Sequence, residues 1–402
     1  MYQDLKIVNP QKIQFTIKDV DLAIVNAVRR IILAEVPNVA FHFDPYDTDN
    51  TDIHIHKNTG VLHNEFLAHR LSLIPLHFDE NEIEVMKPED YKFVLSKKNT
   101  SNGVINVTTQ DFVIYNKGEK LTESYREKIL PRNEVTKDHI LITKLKPNLY
   151  DSSHGEEIDI ECTPSVNIAK VHARWCPVSQ CCFFNAVDDK LADKAFAAKV
   201  EAARKEGNVT DKDIQTLRAN FNALELYRSF KRNKYDEPNE FVFMIESECR
   251  LRPVYLFFKG LKVLAMKLQT FVDHLNDDSD AVVIQQLGSV DNLFQIGIKN
   301  EDHTLMNTIQ CIVFNNEVRN KPDALLTYIG YYQPHPLDNL MYIKLKFNND
   351  EKRDKDFVKE FMTNAVQKII ALVNDLNKEW IAFSGVDKAG IVEVETFNVT
   401  DN

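Results

Sequence analysis

The sequence predicts an α+β fold: two related strand–helix dimerisation domains forming an intramolecular pseudo-dimer, with a β-rich insertion in the first. Three observations carry this prediction. The stretch 15–37 occurs twice. Displaced by 281 positions, Ile17-Lys18 falls on Ile298-Lys299, Asp21 on Asp302, Asn26 on Asn307 and Ile31 on Ile312, with no gap. Both copies carry apolar residues at helical spacing, at 24, 25, 28, 31 and 32 and at 305, 306, 309, 312 and 313, so each is an amphipathic helix with a face to bury. Between the copies lie short alternating runs such as Ile53-His54-Ile55-His56, the period of half-buried strands. Two similar helices in one chain point to each as the other's partner. The seam would be Ile24, Val28, Ile31 and Ile32 against Leu305, Ile309, Ile312 and Val313.

Taken in order, residues 12–17 alternate as a strand and 19–35 form the first helix, stopped by Pro37. Asp21 stands where a carboxylate accepts from the orphan N–H groups of a helix start, and Asp302 repeats it as the second N-cap. Residues 39–43 alternate again. A turn-rich break at Asp44-Pro45-Tyr46-Asp47 then opens a different region, 44–157, with strands near 53–56, 92–95, 103–108 and 112–115 and a helical patch at 64–71. Strands resume at 158–162 and 178–184. Residues 188–234 are helical and charged, with Glu201, Lys205 and Lys212 among them, and read as a surface excursion.

After a strand at 240–247, Arg252-Pro253 opens a long helix through Leu275. A polar joint begins at Asn276; flexible to about Asp291, it would reach roughly 20 Å and hold the halves at an effective concentration on the order of millimolar. Strand 293–299, helix 302–318, strands 325–332 and 341–347 and a helix from 355 to about 380 complete the chain. The predicted domains are 1–43 with 158–280, the insertion 44–157, a second dimerisation domain 281–384, and a polar tail 385–402.

The chain of 402 residues has a formal charge of −11, which argues against a general nucleic-acid binder. It shows no apolar run long enough to span a membrane and no signal-peptide pattern, so a soluble intracellular protein is expected. Six cysteines without a regular framework fit a reducing compartment. Asp47, Asp49 and Asp52 lack the rigid setting that two-metal catalysis requires. His54 and His56 share one side of a strand, with His63, His69 and His77 nearby. They are read as loop and surface histidines, with a metal site as the rival. Cys181 and Cys182 point to opposite sides of a strand and read, with Cys176, as small apolar residues. No catalytic residue, metal site or cofactor is predicted.

Asn26-Ala27-Val28-Arg29-Arg30 with Pro37 resembles the α-motif of the α-like RNA polymerase subunits: the bacterial α, the archaeal D-like and the third-largest eukaryotic polymerase II polypeptides. Two further pieces are in register. The run Glu65-Phe66-Leu67-Ala68-His69-Arg70-Leu71-Ser72-Leu73-Ile74-Pro75-Leu76 is similar to the family's "LAHRLGLIPL", and His172-Ala173-Arg174-Trp175-Cys176-Pro177 to its "HAKWSP". The last third resembles the smaller, archaeal L-like partner. Glu301-Asp302-His303-Thr304-Leu305-Met306-Asn307 is similar to "EDHTLGN", with Met306 in place of Gly, and Tyr332-Gln333-Pro334-His335-Pro336 to a "Y-x-x-x-HP" turn, one residue shorter. A chain carrying both resembles the fused subunit of polymerases encoded by large cytoplasmic DNA viruses.

The resemblance implies a non-catalytic scaffold that docks the two largest polymerase subunits, with small subunits on the first half, no direct nucleic-acid contact and no membrane. Its location would be the host cytoplasm (the viral factory) and the virion. It implies Asn26, Arg29, Arg30, Arg70, His172 and Arg174 as interface residues, Trp175 being structural. Arg29 and Arg30 lie about 100° apart on a helix, so at most one faces the seam. Many relatives hold a cysteine-ligated zinc or iron–sulfur site in the insertion; residues 44–157 contain no cysteine, so that site is expected to be absent. Two readings from other classes stay open: a metal-dependent enzyme using His54 and His56, and a free-standing pseudo-dimeric binding protein.

Overall fold

The computed structural model describes residues 1–47, 50–148, 150, 155–207, 210–277, 279–288, 292–319, 321–322, 324–348 and 351–386. They form two compact units, one of residues 1–32, 180–246 and 256–386, the other of 33–179 and 247–255.

The chain opens with the antiparallel hairpin β1 (Tyr2–Asn9) and β2 (Lys12–Lys18), followed by α1 (Leu22–Ala34). In the second unit come β3 (Asn38–Ala40), β4 (Ile53–Asn58), α2 (Asn64–Ser72), α3 (Glu80–Val85), β5 (Tyr91–Lys98), β6 (Ile105–Thr108), β7 (Val113–Asn116) and β8 (Glu119–Lys120). They are followed by α4 (Glu123–Ile129), β9 (Leu141–Leu145), β10 (Glu157–Cys162) and β11 (Ser165–Asn167). Its main sheet has the order β4-β10-β5-β7-β8, with two small sheets, β6-β9 and β3-β11. Alternation explains β10: Ile158, Ile160 and Cys162 are buried, and the residues between them are half-buried.

The remaining elements are β12 (Val178–Asn185), α5 (Asp189–Glu206), α6 (Asp211–Leu224), β13 (Glu240–Ser247), α7 (Pro253–Asn276), β14 (Val282–Gln286) and β15 (Leu293–Lys299). Then come α8 (His303–Glu317), β16 (Leu326–Tyr332), β17 (Leu340–Phe347) and α9 (Lys355–Ser384). The first unit holds two four-stranded antiparallel sheets, β1-β2-β13-β12 and β14-β15-β17-β16. Within each, the strand that leads into the repeated helix pairs with a later strand. Phe15 of β2 stands opposite Phe243, and its repeat counterpart Ile296 of β15 stands opposite Ile343.

The end of α9 enters the core of the first sheet. Trp380 is fully buried, with its ring 4.5 Å from Phe15, 4.6 Å from Phe257 and 5.1 Å from Tyr2. Tyr2 Oη donates to the Leu376 carbonyl at 3.2 Å. On α7, Gly260 allows close approach to α1: a Cβ there would stand 2.9 Å from Ile32 Cγ1 and 3.2 Å from Val28 Cγ1. Burial around such contacts supplies most helix stability in proteins of this size.

The structure departs from the sequence expectation at the joint. Val282–Gln286 is a strand in register with β15, Val282 opposite Ile298. The connection therefore runs only from the end of α7 at Asn276 to Val282, and a long flexible tether is replaced by a sheet edge. The excursion at 188–234 is two helices closed on their own small core, where Phe196 meets Phe221 edge-on at 5.5 Å beside buried Ala192.

Candidate functional site

In the first unit the two repeated helices run antiparallel, with the start of each bonded to the far end of the other. Asp21 Oδ1 accepts from the Ala23 N–H at 2.8 Å, closing the first turn of α1. Its Oδ2 accepts from Asn315 Nδ2, in the last turn of α8, at 2.6 Å. At the other end Arg30 Nε donates to Thr304 Oγ1 at 2.7 Å, and Asp302 Oδ1 caps α8 through the Thr304 N–H at 2.8 Å. Arg29 stays within its own helix, donating to Asn26 Oδ1 at 3.0 Å.

Two crevices flank these helices. The smaller, about 260 Å³, is lined by Ala27, Arg30, His303, Thr304 and Tyr331, and the larger, about 930 Å³, by Asp21, Cys311, Phe314, Asn315 and Arg319 among others; both include Ala23, Asn26 and Asn307. In the larger one Arg319 forks onto both Glu237 oxygens, at 2.6 and 2.9 Å. This pairing holds the Glu237 carboxyl below the usual range and raises the guanidinium. Burial pushes the Cys311 thiol up.

Ile24, Val28, Ile31, Ile32, Leu305, Ile309, Ile312 and Val313 are all buried. Val28 and Ile32, however, lie against Gly260 of α7. The residues lining the crevice that both helices share are small or polar: Ala23, Asn26, Ala27, Thr304 and Asn307. Of these, sequence reasoning named only Asn26, and as an interface residue rather than as part of the seam, because helical periodicity reports that a face is covered and not by what.

In the second unit the remaining predicted residues serve the backbone. Arg70 Nε and Nη2 donate to the carbonyls of Ile142 and Leu141, at 3.0 and 2.7 Å. Arg174 Nη1 and Nη2 donate to the carbonyls of Phe41 and Phe43, at 3.0 and 2.7 Å, and its Nε donates to His172 Nδ1 at 3.1 Å. Exposed His172 also accepts from the Arg174 N–H, closing a short turn before the fully buried Trp175. Partial desolvation by its neighbours and the Arg174 charge lower the His172 pKa, while burial raises that of Asp52, which accepts from the His42 N–H at 2.5 Å. Arg174 and Asp52 thus hold 41–43 in place. The Arg174 contacts span about 130 positions, and no local signal announces them.

His54, His56, His63 and His69 are exposed and His77 is half-buried; His56 Nε2 lies 3.7 Å from Glu161. Among the described residues no three His, Cys, Asp or Glu side chains are grouped to hold a metal ion. Asp47 sits in a turn bridged to Asp44, and Asp49 lies outside the described residues. Cys181 is buried and Cys182 half-buried. No helix among the described residues is long and apolar enough to cross a membrane.

Residues 14–268 match the RNA polymerase Rpb3/Rpb11 dimerisation domain, and residues 294–379 match a second description of the same domain. The chain is 26% identical over 296 residues to DNA-directed RNA polymerase II subunit RPB3 of Schizosaccharomyces pombe, covering 68% of this chain and 87% of that protein. It is 26% identical over 306 residues to DNA-directed RNA polymerases I and III subunit RPAC1 of Homo sapiens, covering 68% and 84%. It is 24% identical over 295 residues to DNA-directed RNA polymerase subunit Rpo3 of Methanobrevibacter smithii, covering 67% and 96%. Since the first domain match alone spans more than half of the residues, the chain belongs to the family of RNA polymerase subunits built on the Rpb3/Rpb11 dimerisation domain.

Proposed function

We propose that this chain is a non-catalytic assembly subunit of a multisubunit DNA-directed RNA polymerase, in which both halves of a dimerisation platform are joined in one polypeptide. The observation that carries the reading is the double match, at 14–268 and again at 294–379. The halves are residues 1–43 with 158–280 and residues 281–384, related as a pseudo-dimer; 44–157 is the insertion and 385–402 a polar tail. The Arg30–Thr304, Asp21–Asn315 and Arg319–Glu237 contacts support that pairing.

The platform docks the two largest subunits, with Asn26, Arg29, Arg30, Arg70, His172 and Arg174 at or behind the interface, and small subunits bind the first half. Arginine suits such interfaces because its fork holds several acceptors at once. The joined arrangement is the ground for assigning it to a polymerase of a large cytoplasmic DNA virus, acting in the host cytoplasm and carried in the virion. A tagged chain, purified from its native source at moderate salt, is expected to bring down two much larger chains and promoter-independent RNA synthesis. Recovery of the chain alone, soluble and inactive, would overturn the proposal and favour a free-standing binding protein.

A further inference from the structure

In the second unit α2 and β9 enclose a groove of about 570 Å³ whose lining is mostly apolar. Its floor is fixed by Arg70, which reaches from α2 to the carbonyls of Leu141 and Ile142. On its walls Val61 is 64% exposed, Val104 58% and Leu141 39%. Phe66 lies one helical turn before Arg70, on the same face of α2, and is 59% exposed, with His63 against its ring at 4.7 Å. Large apolar side chains grouped in this way on a surface mark contact sites.

The charged residues that line the groove, Arg70, Lys144 and Lys146, are cations, and beside them the Glu156 carboxylate accepts from the Lys146 N–H at 2.7 Å. Lys144 and Lys146 line it and are exposed, and neither has an ion-pair partner among the described residues; Arg70 is bonded only to carbonyls there. Three cations without an ion pair among the described residues, beside an apolar groove, stand out in a protein of net charge −11.

We infer that this groove receives an acidic polypeptide segment, anchored by a bulky apolar side chain and contributed by another chain of the same assembly. The apolar walls accept the anchor and the cations select its acidic flanks, the division of labour found in interfaces with a dry centre and a charged rim. Nucleic acid fits less well, because a phosphate backbone leaves Val61, Val104 and Leu141 in water. The identity of the contributing chain as a polymerase subunit rests on the proposed function.

The test uses the full chain in its purified complex, with Phe66 replaced by the photo-cross-linker p-benzoylphenylalanine. Irradiation and mass spectrometry are expected to identify one segment of a partner chain, richer in Asp and Glu than in Lys and Arg, joined at or beside an apolar residue. Lys144→Glu with Lys146→Glu is expected to lower the cross-linking yield about fivefold, whereas Lys144→Arg with Lys146→Arg keeps it. An intact complex with position 66 uncross-linked overturns the inference. So does capture of a neutral or basic segment or of nucleic acid, or a yield indifferent to charge reversal. A chain that enters no complex overturns the assembly role as well, so the two failures are told apart.

Discussion

In the first copy of the repeat Arg30 reaches Thr304 of the second; displaced by 281 positions, the equivalent pair is Cys311 and Ala23, which have no such bond to make. The bridge from Asp21 to Asn315 has Asp302 and Ala34 as its counterparts, and alanine again removes the donor. Each polar bridge therefore exists once. The crevice beside Arg30 is about 260 Å³ and the one beside Cys311 about 930 Å³. The copies agree in what folds each helix, a capping carboxylate and an apolar stripe, and differ where the helices touch. That divergence favours the unlike pairing. On the proposed pairing, two first copies would lose both bridges, setting Arg30 against Ala23 and Asp21 against Ala34, whereas two second copies would set Cys311 against Thr304 but keep Asp302 against Asn315, so missing partners disfavour the first like pair more than the second.

The largest expected effect comes from emptying the aromatic cluster through which α9 packs on β1, β2 and α7. Trp380→Ala would empty the site shared with Tyr2, Phe15 and Phe257 and cost about 3–5 kcal/mol, read by denaturant unfolding of the whole chain. Gly260→Val would push against Ile32 and Val28, the stripe the first copy turns toward α7, and cost about 1–3 kcal/mol. Asp21→Ala would remove both the cap of α1 and the acceptor of Asn315. A loss of about 1–2 kcal/mol is expected, and an unchanged midpoint would count against the bridge.

Arg319→Ala is the smallest, at most about 1 kcal/mol, because Glu237 is well exposed. Its pH dependence sharpens the comparison. The folded Glu237 pKa is depressed by Arg319, so the pair's contribution is present above the unfolded carboxyl value, about 4.3, and is lost as pH falls through the folded value. Wild type and variant should therefore converge in stability at acid pH; a constant gap from pH 3 to 7 would show that the loss lies elsewhere.

Much of this architecture is legible in the residues. Strand β15 and the bodies of α1, α7 and α8 follow from periodicity and capping, because one buried face leaves a strong pattern. Strand β1 leaves no such trace: it is a sheet edge with only Tyr2 fully buried, so its residues are not constrained to alternate. β14 is a five-residue edge strand directly after a polar joint, and its only decisive partner, β15, is supplied by the fold. The side-chain contacts are the least legible. Arg70 and Arg174 stand out through the family resemblance, yet their carbonyl partners lie 71 to 133 positions away in the chain. The groove beside Arg70 escapes sequence reasoning because exposed apolar residues spoil amphipathic patterns rather than make them.

The bond from Tyr2 to Leu376 has a consequence for chain connectivity. The first strand starts where the last helix ends, and α7 hands over to β14 across a short surface joint. The order of the two halves along the polypeptide is therefore separable from their packing. A circular permutant opened between Asn276 and Val282, with the end of α9 linked to the start of β1, should place the second half first and keep the same core. Two co-expressed fragments divided at that joint are expected to find the same arrangement.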